Sequence, residues 1–454
     1  MKLHLATSLA ALALTASVFA AAAEEKRPNI VLIMADDLGY GDVGCYGSTV
    51  NRTPHIDQLA AGGLRLTDFH TNGPMCSPTR AAMLTGQYQS RFGRRFEAAL
   101  SGANHDPGLP PAAVTIAEVL RAKGYATGMF GKWHLGYESP YLPTDQGFDE
   151  FRGLVSGDGD FHTRVDRSGN PDWWRNKTLS EEPGGYTTDL ITKDSVTFIE
   201  NHRDEPFFLY VPHLAIHFPW QGPEDPPHRE VGKDYQKDKW GIIPDRSNVS
   251  PHVTAMVESL DRSVGEIIAA LEKNDLTRNT LVIFTSDNGG YRDYAGGFEN
   301  ISEMGPLRGQ KATLYEGGHR VPAIFSWPGT IAPAVSDELV MTFDLFPTFI
   351  ELAGIPVDSE KPFDGTNLTG LIFEEEPLAP RRFFWRMRAD KAVREGQWKL
   401  VQRGKRPVEL YHLGNDIGET TNLAASEPEL VGRLLGELAK WEADVDRTAR
   451  TFEN

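Results

Sequence analysis

The chain has 454 residues, long enough to bury a substantial core and to divide into two or three domains. Hydrophobic residues make up 40% and aromatics 10%, which excludes a disordered chain. A formal net charge of -17 argues against a nucleic-acid partner, and any anionic substrate would need a locally positive pocket.

The N-terminus reads MKLHLATSLAALALTASVFAAAAEEK. Lys2 and His4 precede an apolar run over 5–20, then small residues and a switch to charge at Glu24. This is the pattern of a secretory signal peptide, 1–23, cleaved after Ala23. The run is short and alanine-rich for a membrane anchor, and no other segment approaches transmembrane length. The mature protein is therefore expected to be exported, without stable membrane insertion, and the bacterial periplasm is the expected compartment. Cys45 and Cys76 are the only cysteines. One disulfide would add little to so large a chain, and Cys45 reads as a small buried residue.

The first buried-strand run is NIVLIM, 29–34, and ADDLGYGD follows it at once, with Asp36 and Asp37 at the carboxyl end. The stretch NGPMCSPTRAAMLTG, 72–86, sets Cys76 beside Ser77, Pro78 and Arg80. Composition alone predicts Cys-x-Pro-x-Arg about 0.01 times in this chain. A helix fits AAVTIAEVLRAKG, 112–124, closed by Gly124 at the C′ position. GKWHLG then gives Lys132 and His134, one residue apart, which an extended backbone would aim the same way. Gly131 and Gly136 bracket them and allow close approach to a ligand.

Ser156 lies in GLVSGDG, at the start of a weakly periodic stretch, 157–185, read as a surface excursion that walls a pocket. His162, Trp173, Trp174, Arg175 and Trp220 are candidate wall residues, and packing within the excursion accounts for the tryptophans equally well. FFLYV, 207–211, is a second buried strand, and PHLAIHFP behind it carries His213 and His217. Met256, Leu260, Val264, Ile267, Ile268 and Leu271 fall on one face of a long helix. TLVIFTS, 280–286, is a third strand and ends in Asp287-Asn288-Gly289-Gly290. LRGQKATLYEGGHRVP gives Lys311, and DLFPTFIELAG, 344–354, reads as a helix ending at Gly354. Beyond an acidic stretch at 373–379, RRFFWRMR, KAVREGQWKLVQ and VELYHL alternate like short antiparallel strands before a terminal helix, 428–446.

Strands alternating with helices predict an α/β architecture: a large, mostly parallel sheet sandwiched by helices. The expected boundaries are 24–375 for this α/β domain and 376–454 for a smaller α+β unit on a short antiparallel sheet. Ligands of open parallel sheets collect outside the carboxyl ends of the strands. Asp36, Asp37, Asp287 and Asn288 at two such ends form an all-oxygen set suited to a hard divalent cation, calcium or magnesium.

CSPTRAAMLTG resembles the sulfatase signature, in which the cysteine of Cys-x-Pro-x-Arg is oxidised to formylglycine (3-oxoalanine). RPNIVLIMADDLGYGD, GKWHLG, FFLYVPHLAIHFP, TSDNGG and KATLYEGGHRVP extend the resemblance over nearly the whole mature chain, in the order seen in type I sulfatases of the alkaline-phosphatase-like superfamily. The motif style is similar to arylsulfatases and N-acetylgalactosamine-6-sulfatases. The resemblance implies one calcium ion, rather than magnesium, on Asp36, Asp37, Asp287 and Asn288, with modified Cys76 as a further contact. It implies that Arg80 orients the formylglycine hydrate and that Lys132, His134, His217 and Lys311 surround the sulfate. Ser156 matches a serine that touches the site, and His213 is a candidate substrate-pocket residue. The implied partners are a sulfated small molecule or glycan and a formylglycine-generating or sulfatase-maturating enzyme acting on Cys76. The nearest alternative is a phosphatase or phosphonate monoester hydrolase of the same superfamily, told apart by turnover of phosphate against sulfate esters. An exported glycan-binding protein without turnover would have lost one of Cys76, Arg80, Asp287 or His134, and all are present.

Overall fold

The computed structural model describes residues 27–101, 107–180, 184–356 and 363–452. The predicted signal peptide lies outside the described residues. The central feature is a ten-stranded mixed sheet. Its middle is parallel and runs in the order Thr280–Ser286, Asn29–Ala35, Phe207–Pro212, Ala126–Lys132, Glu150–Leu154. Ala323–Ser326 continues it antiparallel on one side, and Trp174–Arg175 does so on the other.

Every residue of Asn29–Ala35 is buried because helices cover both faces, which is why this strand reads as an unbroken apolar run. Alternate side chains enter opposite cores. Ile30, Leu32 and Met34 pack on the side of the helices Cys76–Thr85, Ile116–Ala122 and Leu345–Leu352. Val31, Ile33 and Ala35 face Thr187–Asn201 and Ser250–Lys273. The long helix buries Met256, Leu260, Val264, Ile267 and Leu271 as expected, while Ile268 stays at its margin.

Two helices are shorter than their sequence patterns. The first spans Ile116–Ala122, because Thr115 is its N-cap: the hydroxyl accepts from the Glu118 amide and Glu118 reaches back to Thr115. The second spans Leu345–Leu352, after a 3-10 turn over Thr342–Asp344.

The C-terminal unit is a four-stranded antiparallel sheet, Arg382–Met387, Asp390–Glu395, Trp398–Arg403 and Glu409–His412, under the helix Pro428–Ala449. Phe383, Trp385, Val393, Leu400 and Val401 pack against Leu434, Leu438, Trp441 and Val445. A buried ionic network joins this sheet to the larger unit. Arg394 grips both oxygens of Asp68, and Lys399 bridges Glu316 at 2.8 Å and Glu419 at 3.0 Å. His70 and His319 face each other through their Nδ1 atoms at 2.9 Å, and burial depresses both pKa values.

Candidate active site

All five parallel strands deliver a candidate residue at their carboxyl ends. Asp36 and Asp37 follow the first strand, His134 follows Ala126–Lys132, Ser156 follows Glu150–Leu154, His217 follows Phe207–Pro212, and Asp287 and Asn288 follow Thr280–Ser286. Backbone pairing continues past the strands, with the Asp36 amide on Ala215 and the Asp287 amide on Ala35. Asp37 turns at φ 61°, and the Asn288 amide group donates to its carboxylate at 2.8 Å. Gly289 and Gly290 permit this closeness: a Cβ at Gly289 would stand 1.9 Å from the Gly317 carbonyl, and one at Gly290 2.0 Å from Ser302 Oγ.

Cys76 opens the helix Cys76–Thr85 and is 1% exposed at the floor of a cavity of about 270 Å³. His134 Nε2 donates to the Leu100 carbonyl at 2.9 Å, which leaves Nδ1 as the acceptor facing Cys76 Sγ at 3.1 Å. Burial and the nearby Lys132 hold the His134 pKa well below its usual value, so the ring is neutral. Lys132 and His134 both reach the site, although not by simple extended alternation: His134 sits at φ 57° and Gly131 at φ 134°.

Arg80, one helical turn after Cys76, donates to Asp287 Oδ2 through Nε at 3.0 Å and Nη2 at 2.8 Å, and through Nη1 to the Lys132 carbonyl at 2.6 Å. Lys132 is ion-paired with Asp36, and Lys311 with Asp37. His217 Nδ1 faces the Phe218 carbonyl at 2.7 Å, and its Nε2 lies 3.8 Å from Asp37.

Three carboxylates thus meet three cations in a buried space. Burial and then Asp287 push the Asp36 carboxyl well above its usual range. Burial works the same way on Asp287, yet Arg80, Lys132 and Lys311 hold it low. Asp36 Oδ1 and Asn288 Oδ1 are buried without a hydrogen-bond partner, and Asp36, Asp37 and His217 can bring ligand atoms within 4.8 Å of one another. Crowded carboxylates with inward-facing orphan oxygens fit a hard divalent cation. The polar surroundings of Cys76, with an imidazole acceptor and buried cations nearby, suit hydroxyl oxygens better than a thiol.

Ser156 lines the cavity, its hydroxyl donating to the Asp158 carbonyl at 2.9 Å. His213 is not among the lining residues. It is fully buried, its Nε2 3.0 Å from Ser263 Oγ, because the chain leaving Phe207–Pro212 turns it toward the long helix. Of the two readings of the tryptophans, packing holds for Trp173 and Trp220. Trp173 and Trp220 are core residues, and His162, Trp174 and Arg175 lie away from the cavity lining. The excursion instead contributes Asp158, Asp166, Arg167 and Ser168. Phe218, Lys239, Tyr291 and Tyr294 complete that wall. Tyr291 directly follows Asp287-Asn288-Gly289-Gly290 and Tyr294 stands three residues further on, a placement that could have marked them in sequence.

The family model described as Sulfatase matches residues 28–355. A second, for the C-terminal part of N-sulphoglucosamine sulphohydrolase, matches 309–442. The chain is 35% identical to human arylsulfatase A over 94% of this chain and 90% of that protein. It is 30% identical to an N-acetylgalactosamine-6-O-sulfatase of Bacteroides thetaiotaomicron, covering 91% and 92%. The crystal structure of Ps i-CgsB in complex with k-i-k-neocarrahexaose superposes with a TM-score of 0.81 at 32% identity, over 93% of this chain and 94% of that one. A phosphonate monoester hydrolase of Agrobacterium radiobacter, at TM-score 0.63 and 20% identity over 93% of this chain and 96% of that one, shares the fold alone. On a family match over most of its length and relatives aligned nearly end to end, the chain belongs to the sulfatase family and is a sulfuric ester hydrolase.

Proposed function

We propose that this enzyme removes sulfate from a sulfated saccharide, with Cys76 converted to formylglycine and one calcium ion at Asp36, Asp37, Asp287 and Asn288. The observation that carries the reading is the placement of Cys76 Sγ at the cavity floor, 3.1 Å from a neutral His134 Nδ1. The calcium-binding reading rests on the orphan oxygens of Asp36 and Asn288. The saccharide reading draws on the named substrates of the relatives above.

Hydrated formylglycine supplies two geminal hydroxyls, one to attack sulfur and one to release sulfate, and the cation supplies positive charge beside them. The residues of the chain do the rest. Lys132 and Lys311 hold the sulfate oxygens, where charge grows in the transition state. Arg80 fixes Asp287 and the Lys132 carbonyl from behind. His134 Nδ1 takes the proton whose loss releases sulfate, since its other nitrogen is committed to Leu100. His217 and Lys311 flank the side from which the leaving oxygen takes its proton. Three carboxylates cancel three cations, so a divalent ion held by Asp36, Asp37, Asp287 and Asn288 would turn the pocket positive within a chain of net charge -17. Peptide mass spectrometry of the Cys76 segment from the native host, with turnover of 4-nitrophenyl sulfate against 4-nitrophenyl phosphate, tests the reading. An intact thiol throughout, or preference for phosphate, would overturn it.

We also propose that the chain is exported to the periplasm and that a maturation enzyme acts on Cys76. The N-terminal charge and apolar pattern supports export, and no helix among the described residues is long and apolar enough to cross a membrane.

A further inference from the structure

Above the sulfate site, two loops bring two more cations to one wall of the cavity. Arg167, from the excursion after Glu150–Leu154, and Lys239, from the segment before Ser250–Lys273, both line it. Arg167 lies over the Phe218 ring at 5.4 Å. Lys239 Nζ lies over the same ring at 5.1 Å and over Tyr294 at 5.3 Å. Phe218 follows His217 directly, their rings 4.1 Å apart, so this cationic patch begins where the sulfate site ends.

The patch is braced from beneath. Buried Asp158 accepts from Arg167 Nε at 2.9 Å and from Arg229 Nη2 at 2.8 Å. Arg229, fully buried, also donates to the Lys239 carbonyl at 2.8 Å. The Tyr235 amide donates to the Arg167 carbonyl at 2.8 Å, which ties the second loop to the first. Asp166, the other acid in this wall, turns inward to its own loop and accepts from the Ser168 and Asn170 amides at 2.8 Å. Asp158 is shared by two arginines, and Lys239 meets no carboxylate among the described residues. The wall is left with positive charge that the protein does not neutralise. Cations stacked on aromatic rings keep their N–H groups free for an anion.

We propose that Arg167 and Lys239 form a subsite for a second anionic group of the substrate, a sulfate ester or a carboxylate one sugar position from the sulfate being cleaved. This rests on the saccharide reading above and narrows it: the preferred substrate is a saccharide carrying at least two negative groups.

The test compares kcat/KM on saccharides of one backbone with one sulfate or two, and on N-acetylgalactosamine sulfate with or without a linked uronate. Wild type should prefer the doubly anionic member of at least one pair. In Lys239→Gln, and in Arg167→Gln checked for an unchanged melting profile, that preference should fall about tenfold or more, carried by KM. Raised ionic strength should reduce the same preference. A fall confined to the disulfated or the uronate pair names the group that binds. No wild-type preference, or a preference that Lys239→Gln leaves intact, overturns the proposal. Wild type that cleaves 4-nitrophenyl sulfate but none of the saccharides overturns the saccharide reading, and this subsite with it.

Discussion

His134 presents Nδ1 to Cys76 Sγ at 3.1 Å while the Leu100 carbonyl holds its other nitrogen at 2.9 Å. One hydrogen bond therefore fixes both the tautomer and the direction of the ring. Replacing His134 by Gln should lower kcat by about a hundredfold to ten-thousandfold, the usual worth of a positioned base. KM should change far less, because Lys132 and Lys311 still hold the sulfate. A loss confined to KM would remove His134 from the proton-transfer role.

Chelation gives a second check. Dialysis against a chelator should abolish turnover, and calcium should restore it more fully than magnesium. Calcium at a hundred times its Kd should also stabilise the fold by about 2.7 kcal/mol, seen as a rise in Tm. Asp36→Ala should remove that rise. Full activity after exhaustive chelation would contradict the metal assignment.

Burial pushes the Asp42 carboxyl up to about 7, against donors from the Gly39 amide, the Glu303 amide and Ser302. The folded state then holds a proton that the unfolded chain, with an ordinary carboxyl near about 3.9, has released. This contribution to stability is whole below about pH 4 and lost as pH rises toward 7, at up to about 1.4 kcal/mol per pH unit. Denaturant melts from pH 4 to 8 should show that slope shrink in Asp42→Asn. An unchanged slope would show that the carboxyl is already ionised in the fold.

The network between the two sheets makes a stability prediction. Arg394→Met leaves Asp68 buried without its bidentate partner and should cost about 3–5 kcal/mol. Chemical denaturation measures it directly. A change below about 1 kcal/mol would place the network's worth elsewhere.

Most of the fold was legible because buried parallel strands leave unbroken apolar runs: TLVIFTS coincides with its strand, residue for residue. Asp36, Asp37, Asp287 and Asn288 were legible because strand ends concentrate ligands, and the structure brings all four together. The left-handed turn at His134 was hidden, since positive φ is uncommon for any non-glycine residue, even one of the types enriched there. The resemblance already set His217 at the sulfate and left His213 only a pocket candidate, and the turn after Pro212 is what sends His213 to the core. The wall was hidden because Arg167 and Lys239 are ordinary surface types until two loops fold against each other.

Cys76, Ser77, Thr79 and Arg80 are each at most 1% exposed and Pro78 is buried with them, all wound into one helix. An enzyme that must grip this sequence cannot do so on the finished molecule without unravelling the helix. Opening so buried a segment costs much of the global stability, typically about 5–15 kcal/mol. On the proposed formylglycine reading, chemistry at Cys76 therefore belongs to the nascent chain, and folding closes the opportunity. On the same reading, a molecule that folds with its thiol intact stays idle for its lifetime. The active fraction of a preparation is thus a record of the race between modification and folding, set before the first substrate arrives.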